Sequence, residues 1–383
     1  MKGVCGLVID KDKVLLGFAS LEKNRVVFLE EAELEMPWGE ENFVAHLRAH
    51  AEGLNQTIKE KEKELALEVE KIYCVLPADQ ENRCVAEDTI VLSKRKKITT
   101  GDIAYAKKYL EDIYLNLDDF CIHHFVSHYD VDGAVYKYAP LKTVAKKIKI
   151  KSFLSWVKER DFKDIKEIFD NLEREFAGFV SARVAVLPAY TSKAELSKPL
   201  LVCAMGFETT WAILYQDGVL MSEKEFPCGA RQLFEEIGKQ CGLSTRGLAE
   251  EVFNRYVSFQ EGLLAKEVSI KDGSSYINLS TNALNMFVKN FFSREFAGFI
   301  DGLKSTLPAD TTIAFWGRMC AKEGFHAFMQ KNTNFAVKCP ATRGDTACSC
   351  GAMNYGVHRF LERDATRQDT LIGRVLSIYK EYF

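Results

Sequence analysis

Twice the chain runs strand, tight turn, strand and then helix, and this repeated grammar narrows its fold more than any other feature. The first copy is VCGLVI at 4–9 and KVLLGF at 13–18, joined by Asp10-Lys11-Asp12. The second is KPLLVCAMGFETTWAILYQDGVLMSEKEFPCGARQLFEEIG, from Lys198 to Gly238. It reads strand, turn, strand, turn, strand, glycine-containing loop, helix. Short apolar runs closed by Gly, Asp and Asn are hairpin signals. Hairpins that alternate with helices predict an α/β body of more than one subdomain.

Between the two copies the pattern stays mixed. Residues 41–66 are expected to be helical, since NQTIKEKEKELALEVEK places Glu and Lys at helical neighbour spacing. Strands are expected at 72–76 and 89–92. Ile98-Thr99-Thr100-Gly101-Asp102 opens a helix, and strands follow at 120–128 and 135–138. In TVAKKIKIKSFL (143–154) lysine alternates with apolar residues, the period of a half-buried strand. A helix is expected over 160–177 and a strand in ARVAVLPAY (182–190). Further helices are expected over 244–264, 283–305, the end of DTTIAFWGRMCAKEGFHAFMQK (310–331) and SCGAMNYGVHRFLER (349–363).

Composition closes off several functions. With 51 Lys and Arg against 54 Asp and Glu, nothing electrostatic favours nucleic acid. No window approaches the apolar length of a membrane span. The N-terminal MKGVCGLVIDKDKV reaches charge too soon for a signal peptide. Eleven scattered cysteines, an odd number, fit reduced thiols in a cytoplasm. Cys348 and Cys350 form the one close pair, with no second pair at zinc spacing, so no metal is expected. His123, His124 and His128 sit on an apolar segment and suit packing better than ligation.

Four stretches, in order, resemble the bacterial cell-division protein FtsA of the actin/Hsp70 superfamily. GLVIDKDKV (6–14) resembles that family's opening G-L-D-I-G-T-S-K-V. LLVCAMGFETTWAILYQDGVL (200–220) resembles its second phosphate hairpin, with Gly206, Thr209, Thr210, Asp217 and Gly218 matching. LSTRGLAEEVFNRYVSF (243–259) is similar to a helix carrying L-x-T-x-x-x-A-E-x-x-K-x-x-Y, matched by Leu243, Thr245, Ala249, Glu250 and Tyr256. AMNYGVHRFLER (352–363), a spacer and LIGRVLSIYKEYF (371–383) resemble the family's ending.

The resemblance implies a two-lobed actin-like fold of ribonuclease-H-like subdomains with a small inserted βα domain of SHS2 type. Lobe 1 would span 1–68 and 149–197, interrupted by the insert at 69–148, whose first strand and turn would be IYCVLPADQENRC. Lobe 2 would comprise a core at 198–242 and 300–338 and an outer subdomain at 243–299. A closing helix at 339–363, a spacer at 364–370 and the terminal helix at 371–383 would follow. It also implies three partners: the FtsZ tail, received near 243–299, further copies in actin-like protofilaments, and the cytoplasmic membrane. A PilM-like adaptor of a pilus or secretion machine shares the insert and is the alternative. An active actin-like ATPase or sugar kinase is the third reading.

The family's cleft holds ATP and magnesium with glycine-rich turns and carboxylates. Here Val8 and Ala204 stand where the family has Asp, as does Trp211. Asp10, Phe207 and Glu208 replace glycines, and Leu187 precedes Pro188. The remnant phosphate-loop positions are Gly206, Thr209, Thr210 and Gly317, the last in the turn Gly317-Arg318-Met319-Cys320. A pseudo-ATPase without cofactor is therefore expected.

At 100° per residue, Leu371, Ile372, Val375, Leu376, Ile378, Tyr379, Tyr382 and Phe383 fall on one side of a final helix. Arg374 and Lys380 on the other side suit anionic lipid. Such a helix either lies on a membrane or packs on its own body. The polar spacer ERDATRQD and the family-like ending favour the membrane.

Overall fold

The structure is a computed structural model, and it describes residues 1–9, 13–22, 25–35, 43–76, 81–186, 198–216, 219–303 and 307–338. Residues 1–186 belong to one compact unit, and 198–216 with 221–338 to a second.

The first unit begins as an antiparallel meander of β1 (Lys2–Ile9), β2 (Lys13–Glu22) and β3 (Arg25–Glu35). Helices α1 (Phe43–Ala49) and α2 (Ala51–Leu65) lead to β4 (Glu68–Leu76), which lies parallel to β1. The chain then leaves this sheet. It builds β5 (Asn82–Lys97), α3 (Thr100–Tyr114), β6 (Asp119–Val131), β7 (Ala134–Tyr136) and β8 (Val144–Lys158), a separate sheet of order β5-β8-β6-β7. It returns through α4 (Glu159–Asn171) to β9 (Glu175–Ser181), parallel to β4, and α5 (Ala182–Val186). The main sheet reads β3-β2-β1-β4-β9. Its core gathers Leu7, Leu16, Phe18, Ile72, Phe169 and Phe176, all buried.

The second unit repeats this plan. Strands β10 (Leu200–Met205), β11 (Thr210–Gln216) and β12 (Val219–Phe226) form its meander. Then come α6 (Ala230–Cys241), α7 (Arg246–Tyr256), the hairpin β13 (Glu267–Asp272) and β14 (Ser275–Ser280), and α8 (Thr281–Phe292). A π turn at Ser293–Ala297 joins α8 to α9 (Gly298–Leu303). Strand β15 (Thr312–Trp316), α10 (Phe325–Asn332) and β16 (Ala336–Lys338) complete the order β12-β11-β10-β15-β16. Phe253, Phe291, Phe292, Phe315 and Phe325 dominate this core, several of them edge to face.

Five expectations need correction. The strand at 72–76 does not open the inserted domain. It pairs with β1 and β9, because the unbroken apolar run IYCVL suits a strand buried on both faces. The inserted sheet instead begins at Asn82, and β8 carries it past the expected limit of 148 to Lys158. The helix expected over 160–177 stops at Asn171, since Glu173 adopts a left-handed conformation (φ 57°). The strand expected at 182–190 lies earlier, at Glu175–Ser181, with Ala182–Val186 helical. The helix expected over 244–264 ends at Tyr256. Residues 339–383, with the expected closing and terminal helices, lie outside the described residues.

Candidate functional site

The fold brings Gly206, Thr209, Thr210 and Gly317 to one corner of the second unit, at the ends of β10 and β15. The Gly206 N–H donates to the Thr209 carbonyl at 2.9 Å and closes the turn. Thr210 is buried, and its Oγ1 donates to the Cys228 carbonyl at 2.6 Å. Gly317 sits at φ 120°, where a Cβ would lie 2.9 Å from the Met205 carbonyl oxygen. Only glycine fits that approach.

The turn is tied to the start of α6. Ala230 N–H donates to the Gly206 carbonyl at 3.0 Å, and Arg231 N–H to the Phe207 carbonyl at 2.9 Å. These are the first amides of the helix, the groups that ordinarily have no intrahelical partner and receive anions. The approach depends on Gly229, where a Cβ would stand 2.3 Å from the Phe207 oxygen. The Phe207 ring packs against the second core, with the Arg246 guanidinium 4.9 Å above it. Glu208 is exposed at the tip and pairs with Arg231 at 3.1 Å. A phosphate arriving here meets a carboxylate and finds both amides already donated.

The positions that would carry metal-directing carboxylates are packed. Val8 is buried between Leu15 and Val75 on the neighbouring strands. Ala204 is fully buried and lies opposite both Trp211 and Trp316, whose rings are 5.6 Å apart. The residues at this turn do not fit a magnesium-bound triphosphate. Asp10, Leu187, Asp217 and the expected membrane-binding residues 371–383 lie outside the described residues.

Other reactive groups are committed to structure. His123 Nε2 accepts the Ser181 N–H at 2.9 Å. His124 lies between Glu111 (2.9 Å) and Ser152 (3.0 Å), with Ser152 fully buried. Burial pushes the Cys228 thiol up to about 11. Among the described residues no group of three His, Cys, Asp or Glu could hold a metal ion.

Each unit also carries an open groove that the sequence reading did not foresee. In the first, α1 and α4 contribute Val44, Ala45, Arg48, Arg160 and Asp164. In the second, the loop after α7 and the start of α8 contribute Leu263, Leu264, Asn285, Met286 and Lys289. Leu264 is 85% exposed and Met286 57%. This second groove was hidden because 257–264 was read as helix.

No family model matches the sequence, and no curated protein matches it. Solved structures do. The PilM-PilN type IV pilus biogenesis complex contains a chain 14% identical, with a TM-score of 0.62 over 92% of this chain and 98% of that one. The fold is actin-like. A nucleotide-free diol dehydratase-reactivating factor aligns over 94% of this chain and 100% of its own, at 9% identity and a TM-score of 0.55. The ethanolamine utilization protein EutJ from Carboxydothermus hydrogenoformans aligns over 93% and 88%, at 9% identity and a TM-score of 0.50. At these identities the actin-like likeness is one of fold. The repeated three-plus-two sheets belong to that fold.

Proposed function

We propose that this chain is an FtsA-like adaptor, peripheral on the inner face of the cell membrane, that recruits FtsZ filaments and self-assembles as protofilaments without turning over ATP. The observation that carries the non-catalytic part is the sealed second turn, where Gly206 and Phe207 occupy the α6 amides and Glu208 faces outward. In this reading Gly206, Thr209, Thr210 and Gly317 are structural remnants, and neither ATP nor magnesium is a resident cofactor.

The groove beside α8 is the proposed receiving surface for the FtsZ tail. Exposed Leu263, Leu264 and Met286 suit the apolar side chains of an extended peptide, and Lys289 suits a carboxylate. In this reading the segment 371–383 is the tether, and its sequence period assigns Leu371, Ile372, Val375, Leu376, Tyr379, Tyr382 and Phe383 to lipid and Arg374 and Lys380 to headgroups.

A second reading is a PilM-like adaptor, which the actin-like likeness to the PilM-PilN complex favours. Such a protein needs no tail of its own. Co-sedimentation with anionic vesicles separates the two. The full chain is expected to bind, and a chain ending at Arg363 to lose most of that binding. Equal binding by both removes the tether and leaves the PilM-like reading.

A further inference from the structure

One end of the inserted sheet has no part in the adaptor described above. Residues 82–158 carry fourteen Lys and Arg against nine Asp and Glu, within a chain of net charge -3. The register concentrates this excess. Val91 pairs with Lys147 and Lys96 with Ala145, so the four residues Leu92–Arg95 stand against Lys146 alone. This bulge puts Lys94 and Arg95 in solvent at the end of the sheet where the β6–β7 turn also lies.

Lys94, Lys97, Lys146 and Lys147 are exposed and make no ion pair among the described residues. The local acids are engaged elsewhere. Asp132 pairs with Arg95 at 3.7 Å and Glu87 pairs with Lys149. Asp130 accepts the Gly133 N–H at 2.8 Å. Beside the lysines stand aliphatic side chains in water: Val135 is 68% exposed, Val91 59% and Val144 46%. Val91 lies opposite Lys147. Val135 lies opposite Asp130, itself opposite Lys149, so these side chains share the sheet face that α3 leaves open.

We propose that this end of the inserted sheet docks on anionic lipid bilayers. Lysines clustered at this end of the sheet reach headgroup phosphates. Valines beside them enter the headgroup boundary, where a flat bilayer accommodates them without a groove. The proposal rests on the membrane-adaptor reading only for the presence of a bilayer, and it needs no residue of the tail.

The test uses the full-length chain with Lys94→Gln, Lys97→Gln and Lys147→Gln together, all at exposed positions. Vesicles of phosphatidylcholine with phosphatidylglycerol are compared with phosphatidylcholine alone. Affinity for the anionic vesicles should fall by about tenfold or more and its salt dependence should flatten. The thermal midpoint should not move, and the Lys→Arg triple variant should bind as the parent does. Parent-like binding by the Gln variant overturns the proposal, whatever the tail does. Loss of an acidic protein partner with vesicle binding intact overturns it in favour of a protein surface. If tail removal has no effect while the Gln variant loses binding, the tether fails and this surface stands.

Discussion

At the scale of single residues, one close approach shapes the candidate site. Gly229 lets the 206–209 turn sit on the start of α6. Gly229→Ala forces a methyl group to within 2.3 Å of the Phe207 oxygen, so the turn must back away and release the two amides. The variant should lose about 2 kcal/mol or more in denaturant unfolding. The need for glycine there was not legible in the sequence, because it arises from a contact between separated segments. Val8, Ala204 and Trp211, apolar where the resemblance implies acids, are all buried in strands. A second residue-scale expectation concerns Glu62. Burial alone would raise its pKa. The Arg174 guanidinium, donating at 2.6 and 2.7 Å, and the Val69 N–H at 2.8 Å outweigh burial and hold it below the ordinary range. A depressed carboxylate stabilises fully above its unfolded pKa, and the contribution disappears as pH falls through the folded value. Glu62→Gln should therefore cost about 2 kcal/mol at neutral pH and flatten the acid limb of the stability curve, as read by urea titrations across pH.

At the scale of elements, periodicity was readable wherever one face meets water. The lysine alternation of β8 gave its strand, and Thr99-x-x-Asp102 marked the start of α3. There the Asp102 N–H donates to Thr99 Oγ1 at 3.3 Å and the Asp102 carboxylate accepts the Thr99 N–H at 2.9 Å. Thr99→Ala should destabilise this helix by about 1 kcal/mol. Hydrogen exchange should show earlier exchange at 100–114 and little change in the second unit. Elements fixed by distant partners were harder to read. Strand β3 carries Glu30, Glu31 and Glu33 on an edge of the sheet, which masks the strand pattern. The run GFVSARVAV has no clear period, and only parallel pairing with β4 selects Glu175–Ser181 as the strand. The β13–β14 hairpin turns at Gly273 (φ 59°), a turn signal between runs too polar to stand out.

At the scale of the whole molecule, two sheets of the same order, each a three-stranded meander followed by two parallel strands, embody the repeat visible in the sequence. The repeat was legible because each copy opens with a hairpin of strongly apolar strands. The start of the inserted sheet was misplaced because β4 ends at Leu76 and β5 begins at Asn82, and only the pairing of β4 with β1 and β9 assigns β4 to the main sheet. At the second turn apolar packing occupies the positions that the resemblance assigns to phosphate chemistry: Phe207 lies on the second core, and Trp211 and Trp316 flank Ala204. The proposed function therefore rests on surfaces, namely the groove beside α8, the basic end of the insert and the segment 371–383. The most direct test of this account is calorimetric titration of the full chain with Mg-ATP. No saturable heat at millimolar nucleotide is expected, whereas a micromolar Kd with one site per chain would contradict it.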